Sequence, residues 1–303
     1  MSINQNPNAI LVKIYQICES LLRPNKDEIA LQRIQDDLNR YYSLFMGQMN
    51  ADWEYCTPIQ KLIEISQSIC HSSDCSDEIL WDDNLVNKLA VLYNQEYSPK
   101  AHQDKISKSE KKNTQSLENY LTALITSYAR LLFVRVDLKY CSDANVSIEQ
   151  FTQDMYRLRK LVIEKKHCFK HLRGHAWAIE QSSKTGGYHC HLLLIYDGNK
   201  KNKGWYAASQ VGEKWSEITD NKGYYYNCHD DERIDRFKQL GTLGIGMVHR
   251  DHVVQILNAI KAAKYLTKPD KYDQHPLVKL RGMRTFGHGN INKKKKKKPV
   301  AKL

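Results

Sequence analysis

Three residues able to bind a metal ion lie within a short stretch, WAIEQSSKTGGYHCHLLLIYD, of this 303-residue chain. His189 and His191 are one residue apart, and on a β-strand both imidazoles point to the same face because successive side chains alternate sides. Cys190 is then expected to point into the core. Folding the stretch about the turn at 184–187 places Glu180 opposite either His189 or His191, depending on the length of the loop. Both registers gather two imidazoles and a carboxylate, a ligand set for a divalent metal.

A second group of reactive residues lies on a predicted helix, VVQILNAIKAAKYLTKPD, which Pro269 is expected to terminate. Spacings of three and four residues place Lys261, Tyr265 and Lys268 on one face of this helix, with Lys264 beside them. Nearby positive charge favours the phenolate form of a tyrosine. Such an oxygen can attack a phosphodiester and form a covalent phosphotyrosine, while a metal ion polarises and orients the phosphate.

Strand-like runs predict the scaffold that would bring these two groups together. In LLFVRVDLKY, Phe133, Arg135 and Asp137 share one face and apolar residues share the other. With HAWAIEQ, YHCHLLLIY and GIGMVHR, this run predicts an α+β fold: a central antiparallel sheet with helices packed on one face and the metal–tyrosine site on the other. Arg135 is expected either to contact a DNA phosphate or to pair with Asp137. His249 and Arg250, after the last strand, either contact DNA or are polar residues at an element boundary.

The chain divides into four predicted regions. Helical periodicity over residues 1–95 predicts an all-helical N-terminal domain without a catalytic constellation. The polar segment SPKAHQDKISKSEKKNTQ has almost no large apolar residue, so 96–115 is expected to be a linker or exposed loop. Residues 116–289 form the α+β domain, in which GYYYNCHDDERID is expected to be an irregular loop. The lysine-rich residues 290–303 are expected to be a disordered tail that attracts phosphate.

Composition indicates a polyanionic partner. The formal net charge is +12 and the pI is near 9.2, and clustered basic residues gain affinity for nucleic acid by releasing counterions. A membrane partner is not expected, because no apolar run is long enough to span a bilayer and no basic amphipathic helix stands out. Without a signal-peptide pattern, the chain is expected in the cytoplasm. Eight scattered cysteines without a CxxC pair favour reduced thiols, and Cys70, His71 and Cys75 lack the second ligand pair of a zinc site.

The two motifs together resemble a known superfamily. His189-Cys190-His191 in GYHCHLLL, followed downstream by Tyr265-Leu266-Thr267-Lys268, resembles the HUH endonucleases, which nick single-stranded DNA in rolling-circle replication, plasmid mobilisation and some transposition. The residues around both motifs are similar in particular to the YagK/YfjJ C-terminal domain family, also described as inovirus-type replication initiators. The similarity extends from about residue 131 to 289, roughly half of the chain.

This resemblance implies specific roles. His189 and His191 would bind Mg²⁺ or Mn²⁺, and Glu180 occupies a place where some relatives keep a third ligand. Tyr265 would be the nucleophile, leaving a 5′-phosphotyrosine and a free 3′-OH, and Lys268 would steady the phosphate or the phenolate. The partners implied are single-stranded DNA or origin DNA in a bacterial host. The helical N-terminal region would read duplex origin DNA, recruit a host helicase or other replication protein, or dimerise.

Other interpretations remain open at this point. An H-x-H pair alone is more often solvated or satisfied in a core, and a tyrosine on a basic helix is commonplace. A chain with this fold is alternatively a non-catalytic DNA-binding or regulatory prophage protein, or a relaxase or transposase. Trp205, Trp215 and the run 224–226 offer stacking surfaces for unpaired bases, or pack within the core and loops.

Overall fold

The computed structural model describes residues 6–290 apart from 25, 71–78, 142–143, 183 and 268–273. Lys268, Cys75 and the basic tail after residue 290 therefore lie outside the described residues. Within the described part, no helix is long and apolar enough to cross a membrane.

Helices and antiparallel strands make up the described chain, which confirms the predicted α+β class. The elements are α1 (Pro7–Leu21), α2 (Glu28–Met46), β1 (Trp53–Tyr55), α3 (Thr57–Cys70), α4 (Asp83–Glu96), α5 (Pro99–Ser127), β2 (Arg130–Tyr140), α6 (Ile148–Glu164), β3 (Leu172–Gln181), β4 (Tyr188–Asp197), α7 (Gly204–Ile218), β5 (Gly223–Asn227), α8 (Asp231–Gln239), β6 (Gly246–His249), α9 (Val253–Lys264), β7 (Val278–Leu280) and β8 (Phe286–His288).

The central sheet has the strand order β5-β2-β4-β3-β8, and β6 pairs with the start of β2. The pairs are antiparallel. The four predicted strands are present, but the loop predicted over 223–235 is wrong, because it contains β5 and the start of α8. β5 is short and exists as a strand because β2 offers it a hydrogen-bonding edge. Asp230 begins α8, since its side chain accepts a hydrogen bond from the backbone N–H of Arg233 at 2.9 Å.

Helices cover both faces of the sheet, which corrects the expectation of helices on one face only. Val134, Val136 and Leu138 of β2 face a large core that contains residues of α6, α7 and the N-terminal helices. Phe133 faces a second core with Leu121 of α5 and residues of α9. The first half of β2 is apolar on both faces, so other elements must pack against both faces to exclude water. The polar candidate site occupies the remainder of the second face.

The linker predicted over 96–115 is wrong, because α5 runs unbroken from Pro99 to Ser127. Ser98 caps it by accepting a hydrogen bond from the N–H of Ala101 at 3.2 Å, and Pro99 takes the first helical position. The segment is rich in residues of good helix propensity, and its polar composition suits an exposed helix as well as a loop. The apolar second half of α5, buried from Leu117 onward, anchors the whole helix to the sheet.

The N-terminal helices share a core with the sheet. The prediction of helices before residue 96 is confirmed for α1 to α4, but their buried residues form one continuous cluster with the first face of the sheet. The prediction that this region is all-helical is wrong at residues 53–55, which form β1 because β7 from the far end of the chain pairs with it. The predicted boundary at residue 95 therefore does not separate two hydrophobic cores.

Candidate active site

The β3–β4 hairpin determines which histidine faces Glu180. In the observed register Glu180 pairs with His189, so one of the two sequence-compatible registers is realised. The loop closes through a hydrogen bond from Ser182 N–H to the Gly187 carbonyl at 2.9 Å. Gly186 has φ +70°, and a Cβ at this position would lie 2.7 Å from the carbonyl oxygen of Asn8 in α1. A glycine is therefore required both by the backbone conformation and by the close approach of α1.

Glu180, His189 and His191 form a compact group of metal-ligand atoms. The Oε2 atom of Glu180 lies 2.9 Å from Nε2 of His189 and 3.1 Å from Nε2 of His191. The three ligand atoms lie within 4.8 Å of one another, and the Glu180 carboxylate is buried. Burial raises the pKa of Glu180, but the hydrogen bonds with both histidines outweigh it and lower the pKa to about 2. A charged carboxylate beside two imidazoles suits a divalent cation, so this group could hold a metal ion.

Asp137 orients His191 from the neighbouring strand. The register of β2 on β4 pairs the two residues, and Oδ1 of Asp137 lies 2.7 Å from Nδ1 of His191. Burial raises the pKa of Asp137, yet His191 and Arg135 lower it well below its usual range. Burial lowers the pKa of His191, but its hydrogen bonds with Asp137 and Glu180 raise it overall. We assign the Nδ1 proton to the bond with Asp137, so that Nε2 is the nitrogen that would bind a metal once the ion displaces its proton.

Arg135 links this pair to Tyr265. Its Nε donates to Oδ1 of Asp137 at 3.1 Å, which confirms the predicted pairing along the strand. Its terminal nitrogen Nη2 lies 3.0 Å from Nδ1 of His191. The guanidinium carbon lies 5.6 Å from the ring centre of Tyr265, within the range of a cation–π contact. One arginine thus contacts both candidate groups.

Tyr265 follows the last α-helical residue of α9 and begins a 3-10 turn, Tyr265–Thr267. The α-helix therefore ends at Lys264, five residues before Pro269, rather than at or just before Lys268 as predicted. Leu266 is buried on the second core, and Thr267 shares a 2.7 Å hydroxyl–hydroxyl hydrogen bond with Thr114 of α5. These contacts position the turn while the Tyr265 side chain stays 44% exposed.

A cleft of about 750 Å³ brings the candidate metal ligands together with part of the second group. Its lining includes Tyr265 and Lys261 from the end of α9 together with Glu180, His189 and His191 from the hairpin. The helix end and the histidines therefore lie on the same face of the sheet.

Other predicted residues are not brought to this cleft. Lys264 forms an ion pair with Glu118 of α5 at 2.7 Å and does not line the cleft. His249 pairs with Arg130 at the start of β2, and Arg250 is exposed just beyond it. Arg130 is seven residues from Asp137 along β2, a separation of about 23 Å at strand rise. Neither His249 nor Arg250 lines the cleft, and their contact with DNA stays a prediction.

The structure adds residues to the cleft that spacing alone did not select. Asp137 was expected on this face, but its partnership with His191 depends on the register between β2 and β4. Arg233 and Phe237 come from α8, and Gln274 from the segment before β7. The one sequence signal for α8 was the capping pattern at Asp230 with acidic residues after it.

The fold and the site define an α+β domain with helices on both faces of an antiparallel sheet and a candidate metal centre beside a tyrosine. A family model described as the YagK/YfjJ C-terminal domain matches residues 95–289. That match covers more than half of the chain, and the chain belongs to this family. It begins near the start of α5, upstream of the similarity visible in the motifs. No protein of curated function and no solved structure matches the chain significantly.

Proposed function

We propose that this protein is a metal-dependent endonuclease and strand transferase of the HUH type that acts on single-stranded DNA. In this proposal it nicks origin DNA of a phage or prophage element in the cytoplasm of a bacterial host and so initiates rolling-circle replication. The single observation that carries the proposal is that Tyr265 lines the same cleft as Glu180, His189 and His191. The net charge of +12 supports a nucleic-acid substrate.

The chemistry assigns one task to each side chain. The phenolic oxygen of Tyr265 attacks the scissile phosphorus as its proton leaves to solvent, and the guanidinium of Arg135 favours the negative charge on that oxygen. A P–O bond to Tyr265 forms and the P–O3′ bond breaks, so that the downstream strand is held as a 5′-phosphotyrosine. The 3′ oxygen takes a proton and becomes a free hydroxyl. Attack by a 3′-OH on the phosphotyrosine reverses these steps and joins strands.

The residues around the phosphate supply charge and orientation. Mg²⁺ or Mn²⁺ bound by Glu180, His189 and His191 would polarise the phosphate and neutralise charge as the transition state develops. Lys261 lines the cleft near the end of α9 and adds a further positive charge. The resemblance gives a similar role to Lys268, which lies outside the described residues.

A covalent-adduct assay tests this proposal. Single-stranded oligonucleotides that tile the DNA flanking the gene, labelled at the 3′ end, are incubated with the full-length protein and Mn²⁺ and separated on a denaturing gel. We expect a labelled protein band that disappears in EDTA and in Tyr265→Phe. Tyr156→Phe is the matched control, because Tyr156 is an exposed tyrosine on α6, away from the cleft.

Two outcomes would contradict parts of the proposal. Adduct formation by Tyr265→Phe would show that another residue is the nucleophile. DNA binding by the wild-type protein with no adduct on any oligonucleotide would favour a non-catalytic DNA-binding or regulatory protein. A relaxase or transposase would give the same adduct, and the strand-joining products would distinguish it from a replication initiator.

A further inference from the structure

Two exposed tyrosines continue the face of the sheet that carries the candidate metal ligands. In β5, Tyr226 pairs with Asp137 and Tyr224 pairs with Lys139 of β2. Asp137 in turn pairs with His191 of β4. Directly paired residues of adjacent strands point to the same face. Tyr224 and Tyr226 are therefore on the histidine face, in rows that run across the sheet.

The intervening tyrosine points the other way. Tyr225 packs against the large core on the opposite face, where a Cβ at Gly212 of α7 would lie 2.1 Å from its ring. The packing of this partly buried ring fixes the alternation of β5, so that Tyr224 and Tyr226 remain 43% and 42% exposed. The exposure of both rings thus follows from the register of the strand and from the close approach of α7.

A groove connects Tyr224 to the candidate active site. A depression of about 400 Å³ is lined by Tyr224, Lys139 and Lys184 and also by His189. Lys139 and His189 also line the main cleft, so the two depressions meet at the metal ligands. The main cleft continues on the other side toward Tyr265. One elongated path therefore passes from Tyr224 over the histidines to the candidate nucleophile.

The charge of this groove complements a nucleic-acid backbone. The described residues that line the depression at Tyr224 include two lysines and no aspartate or glutamate. Beside Tyr226, the guanidinium of Arg233 lies 5.6 Å from the ring centre and lines the main cleft. Exposed aromatic rings interleaved with basic side chains form the usual platform for unpaired bases, because every base can stack and every phosphate can pair.

We propose that Tyr224 and Tyr226, with Lys139, Lys184 and Arg233, form a stacking platform that binds a single strand of DNA and leads it into the cleft. The inference rests on the proposed function in one respect, since it takes the substrate to be DNA. Duplex DNA is not the ligand of the platform, because its bases are already stacked on each other. In the proposed reaction, β5 would bind the part of the DNA strand that lies on one side of the scissile phosphate.

Binding in the absence of metal tests the platform separately from the chemistry. Fluorescence anisotropy with a fluorescein-labelled 20-nucleotide single strand in EDTA should show that Tyr224→Ala and Tyr226→Ala each weaken binding about fivefold or more. Tyr156→Ala on α6 should bind as the wild type does. Binding of the matching duplex should change far less. Photocrosslinking of a strand that contains 5-iodouracil should label Tyr224 or Tyr226.

Further variants separate stacking from folding effects. The Tyr226 hydroxyl donates a hydrogen bond to Asp230 at 2.9 Å, so Tyr226→Phe removes that bond and keeps the ring. It should bind the single strand nearly as the wild type does, and all variants should unfold at the wild-type temperature within a few degrees.

Three results would overturn the platform: wild-type affinity of both alanine variants, an equal loss of duplex binding, or no binding of single strands by the wild type. The two proposals fail independently. A wild-type adduct with unchanged binding by the tyrosine variants refutes the platform alone, whereas weakened binding without an adduct refutes the nuclease alone.

Discussion

Replacing Asp137 by asparagine should weaken the binding of Mn²⁺ by Glu180, His189 and His191. Asp137 accepts the Nδ1 proton of His191 at 2.7 Å and so fixes the ring with Nε2 3.1 Å from Oε2 of Glu180, where a metal ion can replace the Nε2 proton. Partners of this kind typically contribute 10- to 100-fold to metal affinity, which is about 1.4–2.7 kcal/mol. An asparagine oxygen still accepts the same proton, but it carries no charge.

The surroundings of Asp137 favour the upper part of that range. The side chains of Asp137 and His191 are only 14% and 12% exposed, so water cannot readily replace the carboxylate. Asp137 also neutralises Arg135, whose terminal nitrogen lies 3.0 Å from Nδ1 of His191. In Asp137→Asn, that guanidinium would oppose a bound cation without a balancing charge. We therefore expect a loss near 100-fold, about 2.7 kcal/mol.

Isothermal titration of Mn²⁺ into the full-length protein at neutral pH measures this loss. Asp197→Asn is the matched control, because it also removes a carboxylate paired with an arginine, Arg173 at 2.7 Å, but at the opposite end of β4. It should leave the affinity unchanged. Wild-type affinity in Asp137→Asn would refute the contribution of the carboxylate charge to metal binding. If His191→Ala also bound normally, the metal centre itself would be refuted.

Three further predictions concern stability. Gly212→Ala should lower the free energy of unfolding in urea by about 1–3 kcal/mol, because the new methyl group overlaps the ring of Tyr225, and an unchanged value would contradict the close contact of α7 with β5. Burial lowers the pKa of His229 from 6.5 to about 4, and its Nε2 accepts the N–H of Arg135 at 3.3 Å. Between these pH values the unfolded chain binds a proton at His229 that the folded chain does not, so the free energy of unfolding should fall as the pH is lowered from about 6.5 to about 4. In urea titrations across this pH range, the free energy of unfolding of His229→Gln should depend less steeply on pH. An unaltered slope would assign the pH dependence to other groups. Mn²⁺ at 100 times its dissociation constant should stabilise the folded protein by about 2.7 kcal/mol and so raise its melting temperature. This rise should vanish in EDTA and in His191→Ala. A rise that His191→Ala retained would place the ion at another site.

The two-residue alternation of side chains along the strands predicted the sheet well. The alternation in β2 correctly assigned Phe133 and Val134 to opposite faces, and the two histidines do share a face while Cys190 enters the core. These assignments succeed because strand geometry alternates side chains whatever the neighbouring strand is. The short strand β5 was missed, because five residues carry too little pattern to distinguish a strand from a loop.

Polar composition gave a wrong prediction for one segment, because an exposed helix and an exposed loop have similar compositions. The segment 96–115 has few apolar residues, and the Ser98 cap, its helix-forming residues and the packing of the following turns of α5 together keep it helical. Likewise, the periodicity that placed Tyr265 within α9 did not reveal that the α-helix ends at Lys264 and continues as a 3-10 turn. The contact of Thr267 with α5 belongs to tertiary structure.

The sequence by itself determined the α+β class, the basic charge and the shared face of His189 and His191, because these depend on composition and on the local geometry of the backbone. Only the tertiary structure decided that Glu180 pairs with His189, that Asp137 orients His191, and that Tyr265 lies in the same cleft. Each of those outcomes depends on strand register or on how a helix packs across the sheet. Residues far apart in the chain compete for such contacts, and the free energy of the whole fold selects among them.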